Sequence, residues 1–312
     1  MRHAGLREVS TPTRRREVAL EPYIEPIAAG EGWWLATSPE LAMKALACRG
    51  AGSIFQLAHV FRAAERGPRH REEFHLLEWY RVPGELPDVI ADVERVVAAV
   101  CEAAARVLGS AKVPAAPRTW QQHDMLALVH ETTGLALRGD EPASELEPWL
   151  RGARARAHLR CPPDAGVVRS SALADLLAWT ELFSLWSDLE LDAWLARQAP
   201  DVGIHVVAFP RALAALAQVE GARAWRFESH VRGVELANGY LELRDAAEQR
   251  RRFELVAALR EHEGLPALPL PERFFAALVE PGLPRCAGVA LGFDRLLALA
   301  AGLADLDALA LD

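Results

Sequence analysis

The chain has 312 residues, 51% of them hydrophobic, and a formal net charge of −8. That length supplies a large apolar core, for one large domain or two small ones, and the acidic balance excludes a broad basic face for non-specific nucleic-acid binding while leaving local arginine clusters open. Cys48, Cys101, Cys161 and Cys286 form no C-x-x-C pair and no histidine cluster stands at zinc spacing, a pattern of reduced, buried thiols in a cytoplasmic protein. No apolar run is long enough to cross a bilayer, and no apolar segment follows the N-terminal positive charges, so neither membrane insertion nor export is expected.

The first thirty residues carry few structural signals. LREVSTP reads as a strand stopped by Pro12, TRRREV is basic, and EPYIEPIAAG is broken by two prolines. WWLATSPELAMKALACRG predicts a strand over 33–36 and then a helix, with Thr37 and Ser38 as caps and Pro39 in its first turn. Met43, Lys44 and Cys48 read as its scaffold.

Residues 53–82 predict a long antiparallel hairpin: two apolar flanks rich in aromatic and β-favouring residues enclose a loop crowded with Arg62, Glu65, Arg66, Arg69, His70 and Arg71. Period-two alternation places Glu78 and Tyr80 on the face that carries Phe74. A carboxylate there is costly to bury without a cation, and the arginines read equally as a solvated loop or as a clamp for a polyanion such as triphosphate.

A core-packing helix follows over 87–109, with valines at helical spacing. Residues 119–200 give several helical segments whose Trp179, Trp186 and Trp194 read as packing residues. VGIHVVAFP is a buried strand. It leads to AWRFESHVRGVELANGYLELRD, where a turn at Arg232–Gly233 would pair two strands and bring Glu228 and Glu235 together, although seven residues separate them. Glu235, Asn238 and Glu242 line the second strand. Inward carboxylates and an amide suit hard cations, whether Mg²⁺ bridging phosphates or a substrate ammonium. A charged amphipathic helix spans 245–264 and a short one ends at Pro281–Gly282. In CAGVALGFDRLLALAAG, Gly288 and Gly292 would let a strand approach a flat ligand, with Arg295 opening the next helix.

Three blocks in this order, 33–81, 226–254 and 282–302, resemble the signature motifs of class II aminoacyl-tRNA synthetases, most closely the lysyl branch. The resemblance covers nearly the whole chain and implies an α+β fold: an antiparallel sheet flanked by helices, as a single catalytic domain over 1–312 with a helical insertion at about 119–200 and no anticodon-binding domain. It implies that Arg62 and Arg295 are catalytic, and that ATP meets Arg62, Glu65, His70, Phe74, Glu235, Asn238 and Arg295. Glu228 and Glu235 would hold Mg²⁺, and Ser38, Glu40, Glu78, Tyr80, Glu242 and Ala290 would bind a lysine-like amino acid.

Trp79 in LEWYR and Ala290 in GVALG, where synthetases usually carry glycine, point to stand-alone paralogues that join β-lysine to translation elongation factor P. Adenylation of α-lysine or another amino acid for a different acceptor, and a non-catalytic nucleotide- or translation-factor-binding paralogue, are the alternatives. Two departures fall at the expected ATP site: Ala64 stands where the family has glutamate, and Arg71–Glu72 where it has Asn–Pro. Glu65 replacing the lost glutamate is expected to need a register shift in the loop. A homodimer is the family's assembly, and the helix that builds much of its interface has no counterpart before LREVSTP.

Overall fold

The computed structural model describes residues 1–159, 168 and 170–309; Cys161 lies outside the described residues. Along the chain come strands β1 (Arg7–Glu8), β2 (Arg14–Arg15) and β3 (Trp34–Leu35), helix α1 (Glu40–Cys48), β4 (Ile54–Phe61), β5 (Glu73–Arg81) and α2 (Leu86–Leu108). There follow β6 (Thr119–Asp124), α3 (Met125–Thr133), α4 (Ala143–Arg156), α5 (Ser171–Trp186) and α6 (Asp192–Ala196). The last part holds β7 (Val202–Pro210), β8 (Val219–Glu220), β9 (Arg223–Val231), β10 (Val234–Leu241), α7 (Ala246–His262), α8 (Glu272–Ala277), β11 (Ala287–Gly292) and α9 (Phe293–Ala301).

Among the described residues one large sheet runs in the order β1-β4-β5-β11-β10-β9-β7-β6, with β8 beside β9. Its interior is antiparallel, as expected, but the outermost pairs β1–β4 and β6–β7 are parallel, so the sheet is mixed. Residues 119–124 correct the reading of 119–200 as helical from its start. Thr119–Asp124 is a polar edge strand, held by β7 and by Trp120 stacked on His205 at 4.5 Å. The helices after it pack with β7 around Trp179, Trp186 and Trp194, whose indole nitrogens donate to Glu141 O, Thr132 Oγ1 and Glu131 Oε1. These tryptophans are packing residues.

The two faces of the sheet differ as the alternation dictates. On one, Phe55, Trp79, Val289 and Phe227 pack beneath the valines of α2 and Leu296 and Leu299 of α9 in one apolar core. Trp79 is fully buried there and donates to Asp92 Oδ2 at 3.2 Å. It therefore supports the sheet from behind and does not line the site. The other face carries the polar residues.

Cys48, Cys101 and Cys286 are buried, unpaired thiols. Among the described residues no helix is long and apolar enough to cross a membrane.

Candidate active site

On the polar face, cross-strand pairing aligns Glu228, Asn238, Ala290, Glu78 and Gln56, one from each of β9, β10, β11, β5 and β4. The adjacent row is Arg226, Tyr240, Gly288, Tyr80 and Ile54. Directly opposed residues share a face, so strand parity gathers residues more than 170 positions apart onto one surface. Glu235 stands three residues before Asn238, the wrong parity for that surface. A bulge between Glu235 and Ala237 supplies one extra residue and turns Glu235 into the cavity. The turn joining β9 to β10 is the expected one, with Arg232 and Gly233 both at positive φ (52° and 71°).

The cavity has two chemically distinct ends. At the inner end Glu78, 1% exposed, accepts hydrogen bonds from Tyr80 Oη (2.6 Å) and Ser38 Oγ (2.8 Å). Ser38 Oγ in turn accepts from the Glu40 backbone N–H at 3.0 Å. The serine therefore reaches the first turn of α1 while orienting Glu78, whereas Thr37 makes no side-chain cap and only its carbonyl is used, accepting from Arg62 Nε at 3.2 Å.

Lys44 corrects the scaffold reading: its ammonium, fully buried, lies 2.6 Å from Glu40 Oε1 and 2.5 Å from Glu242 Oε2. Its i+4 spacing from Glu40 was the available signal. One ammonium thus faces three carboxylates. Burial, then the charge of Glu40, pushes Glu78 up to about 8, and burial raises Glu242 to about 7 against the pull of Lys44. Burial also opposes the Lys44 charge, but Glu242 and Glu40 outweigh it and hold the ammonium well above its usual value. Lys44 and Glu242 thus point in opposite directions, one toward an ion pair and one toward a neutral acid. The short contact favours the ion pair, and the carboxylate charge it leaves unmatched raises the proton affinity of Glu78.

Gly288 belongs to this end for a reason other than the expected one. A Cβ there would fall 2.3 Å from Tyr80 Cε1 and 2.4 Å from Glu242 Oε1, so glycine is what lets those two side chains sit side by side. At Gly292, which lines the cavity, a Cβ would meet Arg295 at an ordinary 3.5 Å, so packing within the protein does not demand that glycine.

The outer end is cationic and more open. Arg62, 20% exposed in its side chain, lies 3.4 Å from Glu65 Oε1 and 5.1 Å above the Phe74 ring. Arg295, in the first turn of α9, donates to the carbonyls of Arg69 (3.0 Å) and Glu235 (3.2 Å), which fixes its guanidinium over the cavity mouth. His70 lines the same end, its imidazole pushed down by burial and by Arg295. Asn238 Oδ1 is buried without a partner. An orphaned acceptor of this kind costs about 1–3 kcal/mol, a penalty that a donating ligand removes.

The two departures have structural accounts. Ala64 takes a left-handed backbone (φ 62°), its N–H donates to Glu72 Oε1 at 2.9 Å, and the turn so formed delivers Glu65 to Arg62. The flanking strands stay in continuous register from Ile54↔Tyr80 to Phe61↔Glu73, so the irregularity at Ala64 is confined to the loop. Arg71 is held by Asp307 at 2.8 Å.

Glu228 differs from expectation. It does not line the cavity, is buried (5% exposed), and its Oε1 accepts from Arg226 at 2.7 Å. Its Oε2 lies 3.7 Å from His230 Nε2, without a hydrogen bond. Among the described residues no group of three or more His, Cys, Asp or Glu side chains surrounds one point. Two carboxylates on adjacent strands nevertheless fit Mg²⁺, which takes its remaining ligands from phosphates and water. Glu235 would serve from the cavity and Glu228 through its free oxygen. Tyr240 and Glu21, neither singled out by the sequence, also line the cavity.

The family model for tRNA synthetases class II (D, K and N) matches residues 1–311. The chain is 34% identical over 314 aligned residues to an elongation factor P (R)-β-lysine ligase of Avibacterium paragallinarum, covering 97% of this chain and 87% of that one. It is 36% identical over 307 residues to the ligase of the same name from Mannheimia succiniciproducens (94% and 84% covered) and 39% over 272 residues to that of Haemophilus ducreyi (85% and 72%).

Proposed function

Because the chain belongs to the class II tRNA synthetases (D, K and N), we propose that it activates (R)-β-lysine with ATP and passes the acyl group to a lysine side chain of translation elongation factor P. The observation that carries this reading is the polarity of one cavity. Its buried end holds Glu40, Glu78 and Glu242 against a single lysine, and its open end presents Arg62 and Arg295. A diammonium substrate completes the first and a triphosphate the second.

In the first step the amino acid's carboxylate oxygen attacks the α-phosphorus of ATP and pyrophosphate leaves. Arg62 neutralises charge at the α-phosphate and holds the two anions together, with Arg295 at the phosphate tail and against the adenine. Phe74, His70 and Glu65 complete the nucleotide side, and Asn238 Oδ1 accepts from the ligand. Glu235 and Glu228 would hold Mg²⁺, which would supply charge neutralisation to the phosphates. Glu78, Tyr80, Ser38 and Glu242 bind the terminal ammonium, since leaving such carboxylates unpaired penalises a neutral competitor. Glu40 faces the backbone end of the amino acid, and the Ala290 methyl, between Asn238 and Glu78, shapes the pocket toward the β-isomer. In the second step the neutral amine of the acceptor lysine attacks the acyl carbon and AMP departs, leaving an amide.

In this reading residues 1–312 are one catalytic domain of a cytoplasmic protein, with the helices between β6 and β7 as an insertion. The test is ATP–pyrophosphate exchange with (R)-β-lysine, α-lysine and neutral amino acids, followed by mass measurement of elongation factor P. Exchange strongest with (R)-β-lysine and a gain of one β-lysyl group are expected. No exchange with any amino acid would overturn the proposal, and preference for α-lysine would redirect it to another substrate.

A further inference from the structure

The carboxylate of Glu21 has no part in this scheme. Glu21 lines the cavity from a segment outside any helix or strand, and among the described residues its carboxylate has no hydrogen bond or ion pair. Its backbone, by contrast, is clamped. Arg260, 1% exposed, donates Nη1 to the carbonyls of Glu21 and Ile24 at 3.2 Å each, and its Nη2 binds Glu25 and the Pro266 carbonyl. A carboxylate on a fixed backbone and without a partner of its own is open to a cation that arrives from outside.

Its electrostatic neighbours say where that cation sits. Burial chiefly, with Glu40 and Glu65, pushes the Glu21 carboxyl up, while Arg62 and Arg226 pull it down. Glu21 thus shares the cavity wall with Glu40 of the inner end and Arg62 of the outer end, and feels the charge of both. Glu40 and Glu242 are both engaged by Lys44, Glu78 and Glu242 are more deeply buried, and Glu21 alone of these four carboxylates has no partner among the described residues. A diamino acid whose carboxylate faces Arg62 carries its second ammonium close to that carboxylate, beside the unpaired Glu21.

We propose that Glu21 is a specificity-determining residue whose carboxylate accepts the ammonium nearer the reacting carboxylate of the diamino acid, while Glu78 and Glu242 take the terminal one. This rests on the proposed activation of a diamino acid. It is tested by comparing wild type and Glu21→Gln in ATP–pyrophosphate exchange with (R)-β-lysine and with 6-aminohexanoate, which is β-lysine without its 3-amino group. Glu21→Gln is expected to raise KM for (R)-β-lysine about 10- to 100-fold with little change in kcat, and to leave KM for 6-aminohexanoate unchanged. Glu21→Asp should recover part of the loss. Equal losses with both substrates, or no loss with either, would overturn the proposal. If the wild type exchanged with no amine, the activation reading itself would fall, and calorimetric titration with (R)-β-lysine alone would still decide on Glu21: binding weakened tenfold by Glu21→Gln supports it, equal binding overturns it.

Discussion

The two ends of the cavity solve opposite electrostatic problems by opposite means. The inner end collects more carboxylates than one buried lysine can neutralise and holds them through short contacts from Tyr80, Ser38 and Lys44. The outer end collects guanidinium groups, leaves them partly exposed, and braces them on backbone carbonyls of Thr37, Arg69 and Glu235. Charge surplus at the buried end is expensive, and it is tolerable where a substrate supplies the missing cations. Backbone bracing at the open end fixes donor directions, and the facing carboxylates Glu65 and Glu235, at 3.4 and 3.7 Å, pair the guanidinium groups only loosely, which suits a large anion that enters and leaves. On the proposed reading, the contrast assigns selectivity to the buried end and rate to the open one.

The largest effect that would break this contrast is expected at the open end. Arg62→Ala or Arg295→Ala should lower kcat for pyrophosphate exchange by about 10² to 10³-fold while leaving calorimetric binding of the amino acid nearly unchanged. Arg62→Lys should restore little, because a point charge cannot span two phosphate oxygens as a planar fork does. Loss of amino-acid binding in these variants would show that the two ends do not act separately.

Next comes the buried end. Glu242→Gln removes one of the two partners of Lys44 and a carboxylate awaiting the substrate, so KM for the diamino acid should rise by about 10²-fold, with KM for ATP unchanged. A smaller effect is expected at Ala290, paired with Asn238 on one side and Glu78 on the other. Ala290→Gly should lower the preference for β- over α-lysine by about tenfold, the range available to a single methyl group. Competition between the two isomers in one exchange assay reads that ratio directly.

Much of this arrangement was legible because strand parity is a rigid rule. The alternation in FHLLEWYR placed Glu78 and Tyr80 on the cavity face, and the Arg232–Gly233 turn set the β9–β10 hairpin whose pairing puts Asn238 opposite Glu228. What stayed hidden depends on departures from the rule or on distant packing. The bulge that turns Glu235 inward carries no marker residue in VELANG, and Glu228's commitment to Arg226 follows from a same-face i+2 pairing that parity permits but does not compel. Thr119–Asp124 is polar and half exposed, so nothing local distinguishes it from a loop, and its strand form comes from β7 alone. Glu21 is placed by Arg260, some 240 residues away, through backbone carbonyls that no side-chain pattern encodes.

The smallest expected effect is a pH dependence confined to one end. Burial, then the charge of Glu40, holds Glu78 near 8, so as pH falls from 8 to 6.5 the buried end gains a proton that a bound ammonium must displace. KM for the diamino acid should therefore rise several-fold over that range, approaching tenfold per pH unit for each proton released. KM for ATP should stay flat as far as the protein is concerned, since guanidinium groups do not titrate there. Unfolding cannot mimic the effect. A carboxyl whose folded pKa lies above its unfolded value binds more protons in the native state, so its contribution to stability grows as pH drops through this window. The buried His205, held down to about 4 by burial and by His230, works in the other direction, but its contribution fades only below its unfolded value of about 6.5. A thermal midpoint that is steady or rising from pH 8 to 6.5 while KM for the diamino acid climbs assigns the titration to the acidic end. A parallel rise in both KM values would instead mean that protons act on the whole cavity, and the division between its ends would lose its basis.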